Sequence, residues 1–236
     1  MPRFRSVVFD CDSTLSAIEG IDELAIAHRE EIGRLTDAAM RGEVPLEAVY
    51  GRRLALVKPT REAVDALGAL YVERLVPDAR EVVATLQAEG IDVRIVSGGL
   101  RPAVLAAARA VGVRDDAVEA VDVYFDSAGH YAGFDEQSPL ARAGGKRAVL
   151  ERWTELPRPV MFVGDGVTDL EARPVMDCFV AFAGVVERAA VVAAADAVVR
   201  SASLAPVLAL ALDERRPADA LAAALFDRGA SLMARS

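Results

Sequence analysis

The sequence contains few of the side chains on which several common kinds of site depend. Its 236 residues include two cysteines, Cys11 and Cys178, two histidines, His28 and His130, and no asparagine. Two cysteines are too few for a disulfide framework, and a reducing cytoplasm is the expected location. The two histidines lie far from any cysteine or serine signature, so the sequence argues against a catalytic triad and lacks the ligands of a zinc site.

The chain also lacks a basic stretch and a long apolar run. Its formal net charge is −9, with no basic segment to offset it, so we expect no nucleic-acid partner. The segment 213–217, Asp-Glu-Arg-Arg-Pro, interrupts the apolar stretches near the C-terminus, and no signal-like apolar run precedes the first strand. We therefore expect no membrane span. A chain of this length can form one large domain or a core domain with a small accessory one. We expect a monomer or a homodimer.

Hydrophobic patterning predicts one strand, then a helical block, then alternating helices and strands. The β-branched and aromatic run Ser6–Asp10 is typical of a buried strand. Residues 16–76 show helical patterns without a clear strand, whereas strands alternate with helices from Pro77 onward. This order predicts an α/β fold, a Rossmann-like, mostly parallel sheet with helices on both faces. We expect residues 1–15 and 77–236 to form this core domain and residues 16–76 to form a small inserted helical cap.

Two local patterns give bounds for single elements. Thr60 is expected to cap a helix that runs to Leu75. Val121–Phe125 and Tyr131–Phe134, joined by Ser127-Ala128-Gly129, are expected to form a hairpin.

Two carboxylates, Asp10 and Asp12, come at the end of the first predicted strand. Ligands bind at the C-terminal ends of the strands in sheets of this kind, so both side chains can face one pocket. Two acids side by side repel, and one tends to stay protonated, which suits a nucleophile paired with a general acid. The segment 10–14, Asp-Cys-Asp-Ser-Thr, is also good turn chemistry, so it indicates a catalytic site only in combination with other clusters.

The second cluster is Ser97-Gly98-Gly99, predicted to end a strand over residues 91–96 and to open a helix near Pro102. A hydroxyl and two glycine amides at a helix start can hold an anion. Many β-to-α turns have this sequence for backbone reasons alone, so the signal is weak by itself.

The third cluster is Lys146, which follows two glycines at a predicted helix start. A lysine in the first turn opposes the helix dipole, which favours acids there. It is one of only two lysines among 27 basic residues. That rarity favours a functional lysine over a solvent-facing one.

The fourth cluster contains Asp165 and Asp169, after a strand predicted over residues 160–163. Oxygen ligands of this kind suit Mg²⁺. A phosphate monoester beside Asp10 and these two acids would be strongly repelled, since unit charges about 4 Å apart interact by about 4 kcal/mol at an effective dielectric constant of about 20. One divalent cation and Lys146 would restore the balance. The combination predicts a magnesium-dependent phosphohydrolase acting on a small phosphomonoester.

In their order along the chain, the four clusters resemble the four motifs of the haloacid dehalogenase superfamily. Further segments resemble those members of the superfamily that hydrolyse L-phosphoserine to L-serine. These segments are FDCDSTL, EGIDELA, RLALVKP, IVSGGLR, YAGFDE, GGK and GDGVTDLEA. The similarity covers roughly residues 4–200.

This resemblance implies a role for each of the motif residues. Asp10 would attack phosphorus and form an aspartyl-phosphate, and Asp12 would protonate the leaving serine oxygen and then activate water. Magnesium would be held by Asp10, the carbonyl of Asp12 and Asp165, with Asp169 supporting them from behind. The phosphoryl oxygens would be held by Ser97, Gly98, Gly99, Lys146 and Thr168.

In the predicted cap, the resemblance implies that Glu19 binds the substrate ammonium and Arg53 its carboxylate, while Met40 and Leu46 close the pocket. A small zwitterion needs one acid and one base, and the guanidinium fork suits a carboxylate. Arg52 is adjacent to Arg53, so the choice between them rests on the resemblance.

Two positions differ from the pattern of those superfamily members. Ile18 stands where a second acid is expected, and Leu46 where an aromatic residue is expected. These departures leave open a phosphatase or phosphotransferase acting on another small phosphomonoester.

Overall fold

The computed structural model describes residues 3–28, 30–32, 34 and 46–234. Its centre is a six-stranded parallel sheet with the strand order β3-β2-β1-β6-β7-β8. The strands are β1 (Ser6–Phe9), β2 (Asp92–Leu100), β3 (Val118–Val121), β4 (Val123–Phe125), β5 (Tyr131–Phe134), β6 (Val160–Gly164), β7 (Cys178–Phe182) and β8 (Ala197–Val199). The predicted α/β class with a parallel sheet is confirmed.

Helices cover both faces of this sheet. The helices whose bounds the structure gives are α1 (Gly20–Leu24), α2 (Leu46–Val57), α3 (Arg61–Glu73), α4 (Ala79–Ala88), α5 (Arg101–Val111), α6 (Gly145–Arg152), α7 (Val167–Leu170), α8 (Ala189–Ala194), α9 (Ala205–Leu212) and α10 (Ala220–Met233). Successive side chains of β1 alternate between the two faces, as the period of a strand requires. Val7 and Phe9 belong to one buried apolar cluster and Val8 to the other. Burial on both faces explains why β1 reads as a continuous apolar run.

Strand β1 occupies the middle of the sheet and pairs in parallel with β2 on one side and β6 on the other. Phe9, its last residue, is in register with Ile95 and Val163. Because the three strands run in the same direction, the residues that follow them reach the same edge of the sheet. This register places the aspartates after β1 and β6 beside the end of β2.

The second cluster lies in a strand and not in the predicted turn. Strand β2 continues through Ser97, Gly98 and Gly99 to Leu100, and α5 begins at Arg101. The pairing of β2 with β3 is irregular between Val96 and Leu100, as in a β-bulge. Glycine is common at such irregularities. The prediction of a turn at a helix N-terminus was therefore wrong, although the cluster still reaches the expected edge.

Helix α3 begins as predicted at Thr60, whose side chain accepts a hydrogen bond from the amide of Ala63 at 3.2 Å. It ends at Glu73, two residues before the predicted end. The helix packs against α5, where Gly68 lies beside the backbone of Ala103. The division into a core and a cap of residues 16–76 stays a prediction.

The predicted hairpin is present as the antiparallel pair β4 and β5, except that Val121 belongs to β3. The last two helices cover the sheet. Leu208 and Leu212 of α9 are buried in the same apolar cluster as β1, and α10 packs on α9. No helix within the described residues is long and apolar enough to span a membrane.

Candidate active site

The four clusters of the sequence meet at the C-terminal edge of β1, β2 and β6. Asp10 directly follows β1, Ser97 lies near the end of β2, and Asp165 directly follows β6. Lys146 lies in the first turn of α6 and Asp169 in the short helix α7. All five side chains are buried. The sheet register, combined with two helix starts, therefore brings together residues separated by up to 159 positions in the chain.

Lys146 connects two of the carboxylates. Its Nζ lies 2.7 Å from Oδ1 of Asp10 and 2.5 Å from Oδ1 of Asp169. Burial raises the pKa of Asp10, the charge of Asp169 raises it further, and Lys146 opposes both. Burial alone would lower the pKa of Lys146, but the charges of Asp10 and Asp169 raise it. The lysine therefore remains charged and stabilises the ionised form of Asp10.

Asp10, Asp165 and Asp169 form a cluster that can hold a metal ion. One carboxylate oxygen from each lies within 4.8 Å of the others. Lys146 offsets only part of this negative charge, because one ammonium faces three carboxyl groups. Three buried carboxylates this close together fit a hard divalent cation, which prefers oxygen ligands. The donor set therefore fits a metal.

Asp169 is fixed by the glycines that precede it. A Cβ on Gly164 would lie 2.3 Å from Cγ of Asp169, so any side chain at position 164 would collide with it. The amide of Gly166 donates to Oδ2 of Asp169 at 2.8 Å. The missing side chain at Gly164 therefore allows the Asp169 carboxylate to turn back toward Lys146, and the backbone amide of Gly166 holds it there.

The two oxygens of Asp12 have different partners. Oδ1 accepts from the hydroxyl of Tyr71 at 2.5 Å and from the amide of Gly20 at 2.7 Å. Oδ2 accepts from the hydroxyl of Ser97 at 3.3 Å. Burial raises the pKa of Asp12, and the hydrogen bonds from Tyr71 and Gly20 oppose that rise. A raised pKa suits a carboxyl group that donates a proton.

A cavity of about 220 Å³ opens above these acids. The predicted residues that line it are Asp10, Asp12, Glu19, Arg53, Gly98, Gly99, Lys146 and Thr168. Ser97 is buried behind the lining, with its hydroxyl accepting from the amide of Gly99 at 3.0 Å. Met40 and the side chain of Leu46 lie outside the part of the chain that the structure describes. Arg52 lines a neighbouring cavity instead of this one.

Glu19 and Arg53 both reach the cavity, but each has a protein partner. Arg53 forms an ion pair with Asp22, and burial lowers the pKa of its guanidinium. Glu19 accepts from the hydroxyl of Ser13 at 2.8 Å and lies 3.4 Å from Arg188. Glu19 and Arg53, the acid and the base expected to bind a zwitterion, therefore lie in the same cavity. Their charges are already compensated by Arg188 and Asp22.

The sequence reasoning missed several residues of this site. Arg188 contacts both Asp165 and Glu19, and Tyr71 contacts Asp12. Asp22 and Tyr50 line the cavity, and the Tyr50 hydroxyl donates to the carbonyl of Gly98 at 2.9 Å. Arg188 lies just before α8 in the connection that follows β7, so its signal was weaker than that of a residue directly after a strand. Tyr71 had no such signal, because it lies within an ordinary amphipathic helix.

Comparison with known proteins agrees with the class indicated by this fold and site. A family model described as a haloacid dehalogenase-like hydrolase matches residues 4–173, and the chain belongs to this family. Phosphoserine phosphatase of Bos taurus is 41% identical over 187 residues, which span 78% of this chain and 83% of that protein. The chloroplastic phosphoserine phosphatase of Arabidopsis thaliana is 39% identical, over 81% of this chain and 67% of that protein.

Solved structures show the same likeness. A phospho-aspartyl intermediate analogue of phosphoserine phosphatase matches with a TM-score of 0.69 and 25% sequence identity, covering 86% of this chain and 97% of that chain. The resemblance recognised in the sequence is therefore confirmed at the level of the family.

Proposed function

We propose that this protein is a phosphoserine phosphatase that hydrolyses L-phosphoserine to L-serine and phosphate. The observation that carries the proposal is the composition of one cavity, which joins Asp10 and Asp12 with Glu19 and Arg53. The first pair supplies the chemistry of phosphate ester hydrolysis, and the second pair matches the ammonium and carboxylate of an amino acid. The named relatives, which span most of the chain, support the same substrate.

The reaction proceeds in two steps. A carboxylate oxygen of Asp10 forms a bond to phosphorus while the bond from phosphorus to the serine oxygen breaks, and Asp12 gives its proton to that oxygen. The now ionised Asp12 then takes a proton from water, whose oxygen attacks the aspartyl-phosphate and releases phosphate. Asp10 and Asp12 return to their starting states, and one water is consumed for each ester.

The phosphoryl group is held by donors along one side of the cavity. The amide of Gly98, the hydroxyl of Thr168 and the ammonium of Lys146 supply them from the cavity lining. The hydroxyl of Ser97 and the amide of Gly99 would join them by leaving their present acceptors, Asp12 and Ser97. Lys146 also compensates the charge that accumulates as phosphate approaches Asp10.

Magnesium is the proposed cofactor. Asp10, the carbonyl of Asp12 and Asp165 would hold it, with Asp169 supporting them, and the ion would neutralise phosphoryl charge during transfer. The three clustered carboxylates support this assignment.

Substrate binding would exchange internal ion pairs for pairs with the amino acid. Arg53 would leave Asp22 for the substrate carboxylate, and Glu19 would take the ammonium in place of Arg188. Such exchange favours an amino-acid ester. An ester without an ammonium and a carboxylate would offer Glu19 and Arg53 no new partners in place of those they give up.

We further propose that residues 16–76 act as a cap over the cavity and that the protein works in the cytoplasm, which its two free cysteines support. The expected monomer or homodimer stays a prediction. A phosphatase or phosphotransferase for another small phosphomonoester is the alternative.

A panel of phosphomonoesters, assayed with and without Mg²⁺, tests the proposal. We expect the highest kcat/KM on L-phosphoserine, no turnover after chelation, and no turnover of the Asp10→Asn variant. A higher kcat/KM on an ester without an amino-acid group would overturn the substrate assignment. Metal-independent turnover would overturn the cofactor assignment.

A further inference from the structure

The phenol hydroxyl of Tyr71 forms a hydrogen bond with the carboxyl group of Asp12. The residue belongs to α3, its side chain is fully buried, and its hydroxyl donates to Oδ1 of Asp12 at 2.5 Å. The amide of Gly20 donates to the same oxygen at 2.7 Å. A carboxylate oxygen with two such donors is held in one orientation, because rotation of the carboxyl group would break both bonds.

The position of Tyr71 is itself fixed by the loop that carries Asp12. The hydroxyl of Ser16 donates to the carbonyl of Tyr71 at 3.1 Å and lies 3.2 Å from the carbonyl of Arg74. The amide of Ala17 also donates to the carbonyl of Arg74, at 2.8 Å. The end of α3 is therefore anchored to residues close to Asp12 in sequence.

Gly20 leaves the space that the phenol occupies. A Cβ at position 20 would lie 2.0 Å from the Tyr71 hydroxyl oxygen and 2.8 Å from Cζ of its ring. Any side chain at this position would displace Tyr71 from Asp12. The contact between Tyr71 and Asp12 therefore requires glycine at position 20.

The other oxygen of Asp12 faces the phosphoryl side of the cavity. Oδ2 lies 3.3 Å from the hydroxyl of Ser97 and 3.1 Å from where a Cβ on Gly99 would be. With Oδ1 held by Tyr71 and Gly20, Oδ2 is the oxygen that reaches the leaving group.

We propose that Tyr71 is a positioning residue that orients the carboxyl group of Asp12 so that Oδ2 delivers the proton to the leaving oxygen. This inference rests on the proposed function, in which Asp12 is the general acid. Tyr71 touches neither the ester nor the phosphoryl donors named above, so its effect must pass through Asp12.

Two esters with different leaving groups can distinguish positioning of Asp12 from a purely structural role of Tyr71. Serine leaves as an alkoxide unless it is protonated, so cleavage of phosphoserine depends strongly on an oriented acid. The phenolate of p-nitrophenyl phosphate is stable and needs little proton donation. The value of kcat/KM reports only the steps up to release of the leaving group, so later hydrolysis of the aspartyl-phosphate does not enter it.

The test compares kcat/KM on the two esters for wild type, Tyr71→Phe, Asp12→Asn and the double variant. We expect Tyr71→Phe to lower kcat/KM about tenfold or more on phosphoserine, which is a fraction of the full effect of a general acid. On p-nitrophenyl phosphate, we expect kcat/KM to fall less than about threefold. In the Asp12→Asn background, Tyr71→Phe should have no further effect on either ester. Tyr124→Phe, at an exposed position of strand β4, is the matched control and should change neither value.

Both esters are assayed in the same sample, so a smaller folded fraction cancels from their ratio. An equal loss on both esters, complete inactivity on both, or an undiminished effect in the Asp12→Asn background would overturn the positioning role. The proposed function fails separately, if wild type does not turn over phosphoserine or if Asp12→Asn affects both esters equally.

Discussion

The ammonium of Lys146 lies 2.7 Å from the carboxylate of Asp10, and both groups are almost completely buried. Removing two charges from water is costly, and their attraction offsets that cost only when the geometry is good. Here the same ammonium also lies 2.5 Å from Asp169, so one cation serves two acids. The site is therefore sensitive to the size and shape of that cation.

Replacing Lys146 with arginine should damage the protein even though the charge is kept. The planar guanidinium is larger than an ammonium and cannot occupy the same buried point between Asp10 and Asp169. We expect a loss of about 1–3 kcal/mol in unfolding free energy from overpacking, measured with urea, together with loss of turnover. Lys58→Arg, at the only other lysine and on the surface, should change stability by less than about 0.5 kcal/mol. Full activity of Lys146→Arg would refute this account of the pair.

A divalent cation should stabilise the folded chain through the aspartate cluster. At a Mg²⁺ concentration about 100 times its Kd, binding adds about 2.7 kcal/mol, which corresponds to a Tm increase of about 5–10 °C. Asp165→Asn should remove more than half of that increase, because it removes one ligand charge. Asp213→Asn, at an exposed aspartate, should leave it unchanged. Equal Tm increases in both variants would show that magnesium binds elsewhere.

Arg188 should weaken metal binding, because its guanidinium contacts Asp165. Arg188→Gln removes a positive charge beside the cluster, so half-saturation should require less Mg²⁺. The expected change is several-fold and at most about tenfold, since Arg188 is partly exposed and solvent screens its charge. Calorimetric titration with MgCl₂ measures it, and weaker binding by the variant would contradict the inferred competition.

Arg53 should determine specificity for the carboxylate of the substrate. We expect Arg53→Ala to lower kcat/KM on phosphoserine by about 100-fold and to have a much smaller effect on an aryl phosphate. Arg52→Ala is the matched control, since Arg52 lines the neighbouring cavity and should not affect this selectivity. Equal losses of Arg53→Ala on both esters, or a larger selectivity effect at Arg52, would reject Arg53 as the carboxylate-binding residue.

Much of the framework could be predicted from local sequence. The continuous apolar run of β1 predicted a strand buried on both faces, and Thr60 predicted a helix start that the structure shows. The acids could be predicted because they directly follow β1 and β6, where a parallel sheet places its ligands. Local patterns were therefore sufficient to predict the parallel sheet and the acids at its C-terminal edge.

Other features depend on packing that no local pattern encodes. Ser97 to Gly99 read as a turn, but pairing with β3 extends β2 through them. Tyr71 contacts Asp12 only because the end of α3 is anchored to Ser16. The pairing of Arg53 with Asp22 likewise depends on how α1 and α2 approach each other. Tertiary contacts between distant segments decide these details.

The central claim is that Asp10 carries the phosphoryl group during turnover. Rapid acid quenching of the enzyme with ³²P-labelled phosphoserine and Mg²⁺ measures this directly, because an acyl-phosphate can be trapped and is cleaved by hydroxylamine. The account predicts hydroxylamine-sensitive label at Asp10 in wild type, and no label and a loss of turnover of at least about 10³-fold in Asp10→Asn. Turnover at the wild-type rate by Asp10→Asn, or label on another residue, would contradict it.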